Sequence, residues 1–232
     1  MHLPIAVLTL PALGLLAAAA GAPAAAAALL AASAALPLLK SRNAGADYWE
    51  ITPEQYFEKG LAHLKGDKAP QDLEKATEAF LAAAKKGHAG AQREMGVAHL
   101  TGRGADIDKY EALAWFQKAA EQDDPRSLYE LASFLRRGYG VPEDKAQALA
   151  NVQKAAELGY PKAQLELSRL LKEGGEGVEK DEKKAQELLE KAAAQEDAEA
   201  MTLLAETLEG EEGKDLERAG KLRRRLDELA EG

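Results

Sequence analysis

The residues able to do chemistry are few, and their spacing is the first thing to weigh. The chain has four histidines (His2, His63, His88 and His99) and no cysteine, so any metal site would need imidazole and carboxylate ligands. His63 and His99 lie 36 residues apart, and no third ligand stands at a recognisable spacing from either. The serines beyond residue 50 are Ser127, Ser133 and Ser168, and none lies in a nucleophile-elbow pattern. Glycine pairs such as Gly102/Gly104 and Gly138/Gly140 resemble phosphate-binding loops. A dinucleotide loop, however, follows a strand and opens a helix with a third glycine. These pairs follow helical patterns and recur, so they read as turn glycines. Asp and Glu number 39, but no catalytic pair stands out. The sequence therefore predicts no catalytic residue, no metal site and no cofactor, and the chain reads as a non-enzyme.

What positions these residues is a repeat. Ala91 falls on Ser127 and Ala163, Met95 on Leu131 and Leu167, and Ala112 on Ala148, each step being 36 residues. Ala83-Ala84, Ala119-Ala120 and Ala155-Ala156 follow the same step, and Ala192-Ala193 arrives one residue late. The extra residue belongs to the loop Gly174-Gly175-Glu176-Gly177. Such a period points to a solenoid, an array or a propeller. Spacing inside the unit decides for helices. Ala91, Met95, Ala98 and Leu100 give one helical face. Tyr110, Leu113, Ala114, Phe116, Ala119 and Ala120 give another after a glycine break. No window alternates with the period of two that a strand needs. Gly60 and Gly96, one period apart in helical segments, cost about 1 kcal/mol each against alanine, so their recurrence predicts a close contact.

The predicted fold is all-α: an α/α solenoid of about five helix-turn-helix repeats, with an N-terminal hydrophobic helical segment. Four units are expected at about 55–90, 91–126, 127–162 and 163–199, with a fifth, degraded one from Ala200. Its last helix is expected at about 215–230, with Leu216, Ala219, Leu222, Leu226 and Leu229 on one face. Thr52-Pro53-Glu54-Gln55 reads as the start of the first helix.

The run Gly138-Tyr139-Gly140-Val141-Pro142-Glu143-Asp144, then Ala148, Lys154-Ala155-Ala156-Glu157-Leu158-Gly159 and Pro161-Lys162-Ala163, resembles the Sel-one-like repeat, a relative of the tetratricopeptide repeats with a longer unit. The copies Gly102-Arg103-Gly104 to Asp108 with Lys118-Ala119-Ala120, and Gly175 to Asp181 with Lys191-Ala192-Ala193, are similar. The match covers about 55–205. The resemblance implies a right-handed α/α superhelix used as a protein-binding scaffold, and it implies no catalytic residues.

Three domains follow: 1–39, a hydrophobic membrane anchor, hairpin or signal segment; 40–52, a linker; and 53–232, the solenoid with a C-terminal capping helix. Residues 1–39 contain no Lys, Arg, Asp or Glu. As one helix they would extend about 58 Å at ~1.5 Å each, too long for a ~30 Å hydrocarbon core. Gly21-Ala22-Pro23 could turn the chain between two short spans that include Leu3, Leu16, Leu29 and Leu39. A cleaved secretory signal and a buried alanine-rich helix pair stay open as alternatives. Lys40 and Arg42 favour the cytoplasmic, matrix or stromal side for the solenoid if the segment is retained. Cleavage would instead give a periplasmic or secreted protein.

The net charge of −9 argues against nucleic acid as a partner. What remains is a protein-binding surface on the concave face, built from the first helix of each unit. One row there is Arg93, Tyr129, Leu165 and Thr202, and the next is Val97, Ser133, Arg169 and Glu206. The six expected contact residues are Arg93, Val97, Tyr129, Ser133, Leu165 and Arg169. The function expected is a non-enzymatic scaffold, an accessory or assembly subunit of a membrane complex. The alternatives are an exported adaptor or a hydrolase acting on cell-wall material. No small-molecule substrate is evident.

Overall fold

The computed structural model describes residues 51–66, 70–175, 177–210 and 215–231. The expected membrane segment 1–39 lies outside the described residues, as does most of the linker. From Thr52 onward the chain is one unit of ten helices among the described residues. They are α1 (Pro53–Lys65), α2 (Leu73–Lys85), α3 (Ala89–Thr101), α4 (Lys109–Ala120) and α5 (Pro125–Arg137). Then follow α6 (Lys145–Glu157), α7 (Pro161–Glu173), α8 (Glu182–Ala194), α9 (Ala198–Gly210) and α10 (Leu216–Glu231). Each helix packs on its neighbours in the chain, which is the pattern of a solenoid. No strand forms among the described residues; Gly175 and Val178 make a single bridge in the loop that holds the extra residue.

Local chemistry places the helix ends at one period. The second helices of the first four units begin at Asp72, Asp108, Asp144 and Asp181, and each carboxylate accepts a backbone N–H from the first turn. Asp215 does the same for α10. Such a cap satisfies donors that a helix start leaves open and contributes about 1 kcal/mol. The backbone N–H of these aspartates reaches back to the preceding helix, to the carbonyls of His63, His99, Leu135 and Leu171. First helices α1, α3, α5 and α9 are capped by Thr52, His88, Asp124 and Asp197. Thr52 and Gln55 form the full reciprocal box. The turns into α3, α5, α7 and α9 each use a left-handed residue, filled by Gly87, Asp123, Gly159 and Glu196 at φ 90°, 61°, 91° and 61°.

The core runs along the solenoid as linked clusters of small and large residues. Ala83, Ala91, Ala112, Ala119, Ala155, Ala163, Ala192 and Ala200 are fully buried at helix crossings. The expected tight contact at the helical glycines is present. A Cβ on Gly96 would stand 2.6 Å from Phe116 Cε1, and one on Gly60 would overlap the Phe80 ring. Units three and four solve the same crossing with Ala132 opposite Val152 and Ser168 opposite Leu189, all buried. As the second-helix side chain shrinks, the first-helix side chain grows, so volume is conserved.

Two expectations need correction. Tyr110 was assigned to the apolar face of its helix, yet it is 73% exposed, because its position at the start of α4 lies beyond the crossing with α3. On α10, Ala219 is buried and Leu222 and Leu226 pack, but Leu216 and Leu229 at its two ends stay exposed.

Candidate functional site

The first helices bring the expected contact rows together, and links between units hold them there. Arg93 on α3 donates from Nη1 to Asp124 Oδ2 at 2.9 Å and from Nε to Glu94 Oε1 at 3.1 Å. Asp124 is buried and also caps α5, accepting from the Ser127 amide at 2.8 Å. Arg136 on α5 pairs with Glu166 on α7. Arg169 on α7 donates to Glu199 on α9 at 2.7 Å. Each guanidinium thus ties one first helix to the next.

A second ladder lies beside it. Gln92 donates to the Ala84 carbonyl and accepts from Gln122; Gln164 donates to the Ala156 carbonyl and accepts from Gln195. In the third unit these two positions hold Leu128 and Leu158. The amide pair is replaced as a pair, which avoids burying one unpartnered amide.

Tyr129 is at the centre of the face. Its ring meets Tyr160 edge-on, with centroids 5.4 Å apart and planes at 60°. Burial raises the Tyr129 phenol above its ordinary value, and the facing Glu166 carboxylate raises it further by its charge and by a hydrogen bond. Burial also raises Tyr160, and the positive charge of Arg126 opposes that rise. Both phenols therefore stay neutral at physiological pH, as rings with a polar tip suited to contact.

The six expected residues separate. Arg93 and Arg169 carry charge on the face but are committed to links between units. Tyr129 and Ser133 are partly buried, Val97 packs against the cluster of Ala112, Leu113, Phe116 and Phe134, and Leu165 is 2% exposed in the last core cluster. Leu165 thus belongs to the core rather than to the surface, because α8 and α9 close over it. Tyr160, Arg126 and Glu166 join the face without having been singled out from sequence. Tyr160 was legible as an aromatic at the capping position where other units hold histidine or aspartate.

The histidine pair stands at a packing position. His63 and His99 occupy the place of Leu135 and Leu171, and His99 Nδ1 lies 3.1 Å from the Asp106 carbonyl oxygen. Among the described residues no group of three His, Asp or Glu is arranged to hold a metal ion. The basic run Arg223-Arg224-Arg225 lies on α10. Arg223 donates twice to Glu209, at 2.7 and 2.8 Å, and Arg225 pairs with Glu196 and Glu228. Among the described residues no helix is long and apolar enough to cross a membrane.

Comparison with known proteins agrees with this geometry. The structure resembles a Sel1 repeat protein from Oxalobacter formigenes, with TM-score 0.65 and 27% identity over 77% of this chain and 74% of that one. It also resembles c5321, a protective antigen of uropathogenic Escherichia coli strains displaying an SLR fold, with TM-score 0.59 and 27% identity. That alignment spans 78% of this chain and 39% of the antigen. Immunity protein Pa5087 from Pseudomonas aeruginosa shares the fold at 24% identity and TM-score 0.52, over 68% of this chain and 59% of its own. No curated protein matches the sequence. The Sel1 repeat model matches four consecutive stretches, 57–88, 89–124, 125–160 and 161–197; the last three start with α3, α5 and α7, the first starts inside α1, and each ends in the turn after its second helix. Sel1 repeat proteins are in general protein-interaction scaffolds, and the fold is typically non-catalytic. These four stretches make up more than half of the chain, which belongs to the Sel1 repeat family.

Proposed function

We propose that this chain is a non-enzymatic scaffold that holds a protein partner on the face of α3, α5 and α7, as an accessory subunit of a membrane complex. The observation that carries the reading is the Tyr129–Tyr160 pair. Two half-buried aromatic rings meet edge-on at the middle of the face, flanked by arginine–carboxylate links that fix the helices on either side. Rigid aromatic groups beside arginine are the side chains that dominate protein contacts. The attachment rests on residues 1–39, whose freedom from charge permits insertion, with Lys40 and Arg42 keeping the solenoid on the cytoplasmic, matrix or stromal side.

Two measurements test this. Quantitative pull-down with the full chain should recover a reproducible protein partner, and Tyr129→Ala combined with Tyr160→Ala should weaken it by about 2 kcal/mol or more. Unchanged recovery would move the contact off this face. Intact-mass analysis of membrane-extracted protein should give a chain starting at its first residues. A start between about Gly21 and Leu36 would mean cleavage of a signal and an exported adaptor instead.

A further inference from the structure

The loop edge of the second and third units carries an apolar patch that core packing does not explain. Ile107 is 67% exposed, Tyr110 73% and Tyr139 45%. The repeat makes these exposures informative, because equivalent positions can be compared. Those matching Ile107 hold Gln71, Glu143 and Lys180; those matching Tyr110 hold Glu74, Ala146 and Lys183. Tyr139 falls on Arg103 one unit earlier. Mostly polar positions thus become apolar or aromatic at one place, so the repeat fold itself does not require these side chains.

The patch is continuous. A Cβ on Gly140 would stand 3.1 Å from Tyr110 Cδ1, so the Tyr110 ring lies against the loop that presents Tyr139. Ile107, three residues before Tyr110, borders Gly102. Lys109 Nζ sits 4.9 Å from the Tyr139 ring centroid, and the Arg137 guanidinium lies 5.9 Å from it. Neither cation has an ion-pair partner among the described residues. Nearby acids are mostly committed. Asp108 accepts from the Tyr110 and Glu111 amides at 2.8 and 3.1 Å, Asp144 caps α6, and Glu143 faces Lys145 at 3.6 Å. Glu111 and Asp106 are the acids left. In a chain of net charge −9, an exposed aromatic patch bracketed by two uncommitted cations is complementary to an acidic, apolar surface.

We propose that this edge docks a segment of a partner protein in which an acidic residue stands beside a large apolar one. Ile107, Tyr110 and Tyr139 take the apolar side chain, and Lys109 and Arg137 take the carboxylate. The proposal shares with the scaffold reading only that the chain binds protein, and it uses none of the residues on the α3–α5–α7 face.

The test is a random-peptide library displayed on phage and panned on the full chain. Four proteins are compared: wild type, Tyr110→Ser with Tyr139→Ser, Lys109→Glu with Arg137→Glu, and Tyr129→Ala. Selected peptides should carry Asp or Glu next to Leu, Phe, Tyr or Trp. Their binding should fall about tenfold or more in the serine pair, fall similarly in the glutamate pair, and weaken with salt. Tyr129→Ala should leave it unchanged. Exposed positions should tolerate these changes with no loss of thermal stability, and the charge-reversed pair keeps the patch's shape if the serine pair does not fold. Peptides without the acidic–apolar pairing, or binding to the serine or the glutamate variant as strong as to wild type, overturn the proposal. So does binding lost only with Tyr129→Ala, which would support the α3–α5–α7 face instead. Self-association in sedimentation that the serine pair abolishes would assign the patch to a second copy of this chain and also overturn it.

Discussion

Two single residues show how much the repeat tolerates and where it is strained. Ser127 is fully buried, and its Oγ has no hydrogen-bond partner among the described residues. The same position is Ala91, Ala163 and Ala200 in other units. An unpaired buried hydroxyl costs its desolvation with nothing in return. Ser127→Ala should therefore stabilise the fold by about 1 kcal/mol, read as a raised urea midpoint at constant slope. Tyr129 gives the opposite case, a polar group that the fold uses. Its raised folded-state pKa means that above pH 10, the ordinary value, the unfolded chain loses the phenolic proton while the folded chain keeps it. The contribution is thus complete below pH 10 and is lost as pH rises past it. Urea unfolding followed on both sides of pH 10 should show stability falling on the alkaline side, with a shallower fall in Tyr129→Phe.

At the scale of elements, most of the fold was legible, because the features that make these helices are local and recur. The alanine ladder gave the crossings, the glycine loops gave the turns, and Thr52 with Gln55 gave the first helix start. The aspartates at 72, 108, 144 and 181 repeat as faithfully as the alanines and mark four helix starts. Burial on the inner face was less legible. Tyr129 and Leu165 are equivalent by period, yet one is only partly buried and the other is core, since exposure depends on what α8 and α9 cover and not on the register alone. Tyr110 misled for a similar reason: helical spacing identifies a face but not how far the neighbouring helix extends along it. The glycine–phenylalanine crossing is the element that sequence suggested and packing explains. Gly96→Ala would gain about 1 kcal/mol of helix propensity but overpack against Phe116, which is fully buried and cannot retreat. A net loss of about 1 kcal/mol is expected. Combining it with Phe116→Val, the pairing found at Ala132 and Val152, should cost less than the sum of the single changes by about 0.5 kcal/mol or more. Additive costs in a double-mutant cycle would mean that the two positions do not share one volume.

At the scale of the solenoid, stability is distributed unevenly: among the described residues α9 and α10 pack on one preceding helix pair, whereas α3 to α6 have helix pairs on both sides. Leu165, Leu189, Met201 and Leu204 form a cluster that joins α7 and α8 to α9, and Ala219 brings α10 onto it. Exposed ion pairs such as Arg218–Glu190 and Arg223–Glu209 link α10 to α8 and α9. Exposed pairs of this kind contribute little, so the cluster beneath supplies most of what keeps the end closed. Leu204 is 2% exposed, and Leu204→Ala should cost about 2–5 kcal/mol, the range for a buried leucine. In a chain of units coupled only to their neighbours, that loss is felt first where unfolding breaks a single interface. Native-state hydrogen exchange should therefore show α9 and α10 losing protection while α3 to α6 keep theirs. Phe116→Ala in the second unit, with a comparable cost, removes a contact that has neighbours on both sides and should lower protection in α3 to α6 as well. If Leu204→Ala instead lowers protection equally in all ten helices, the units unfold together and the nearest-neighbour account of this solenoid fails.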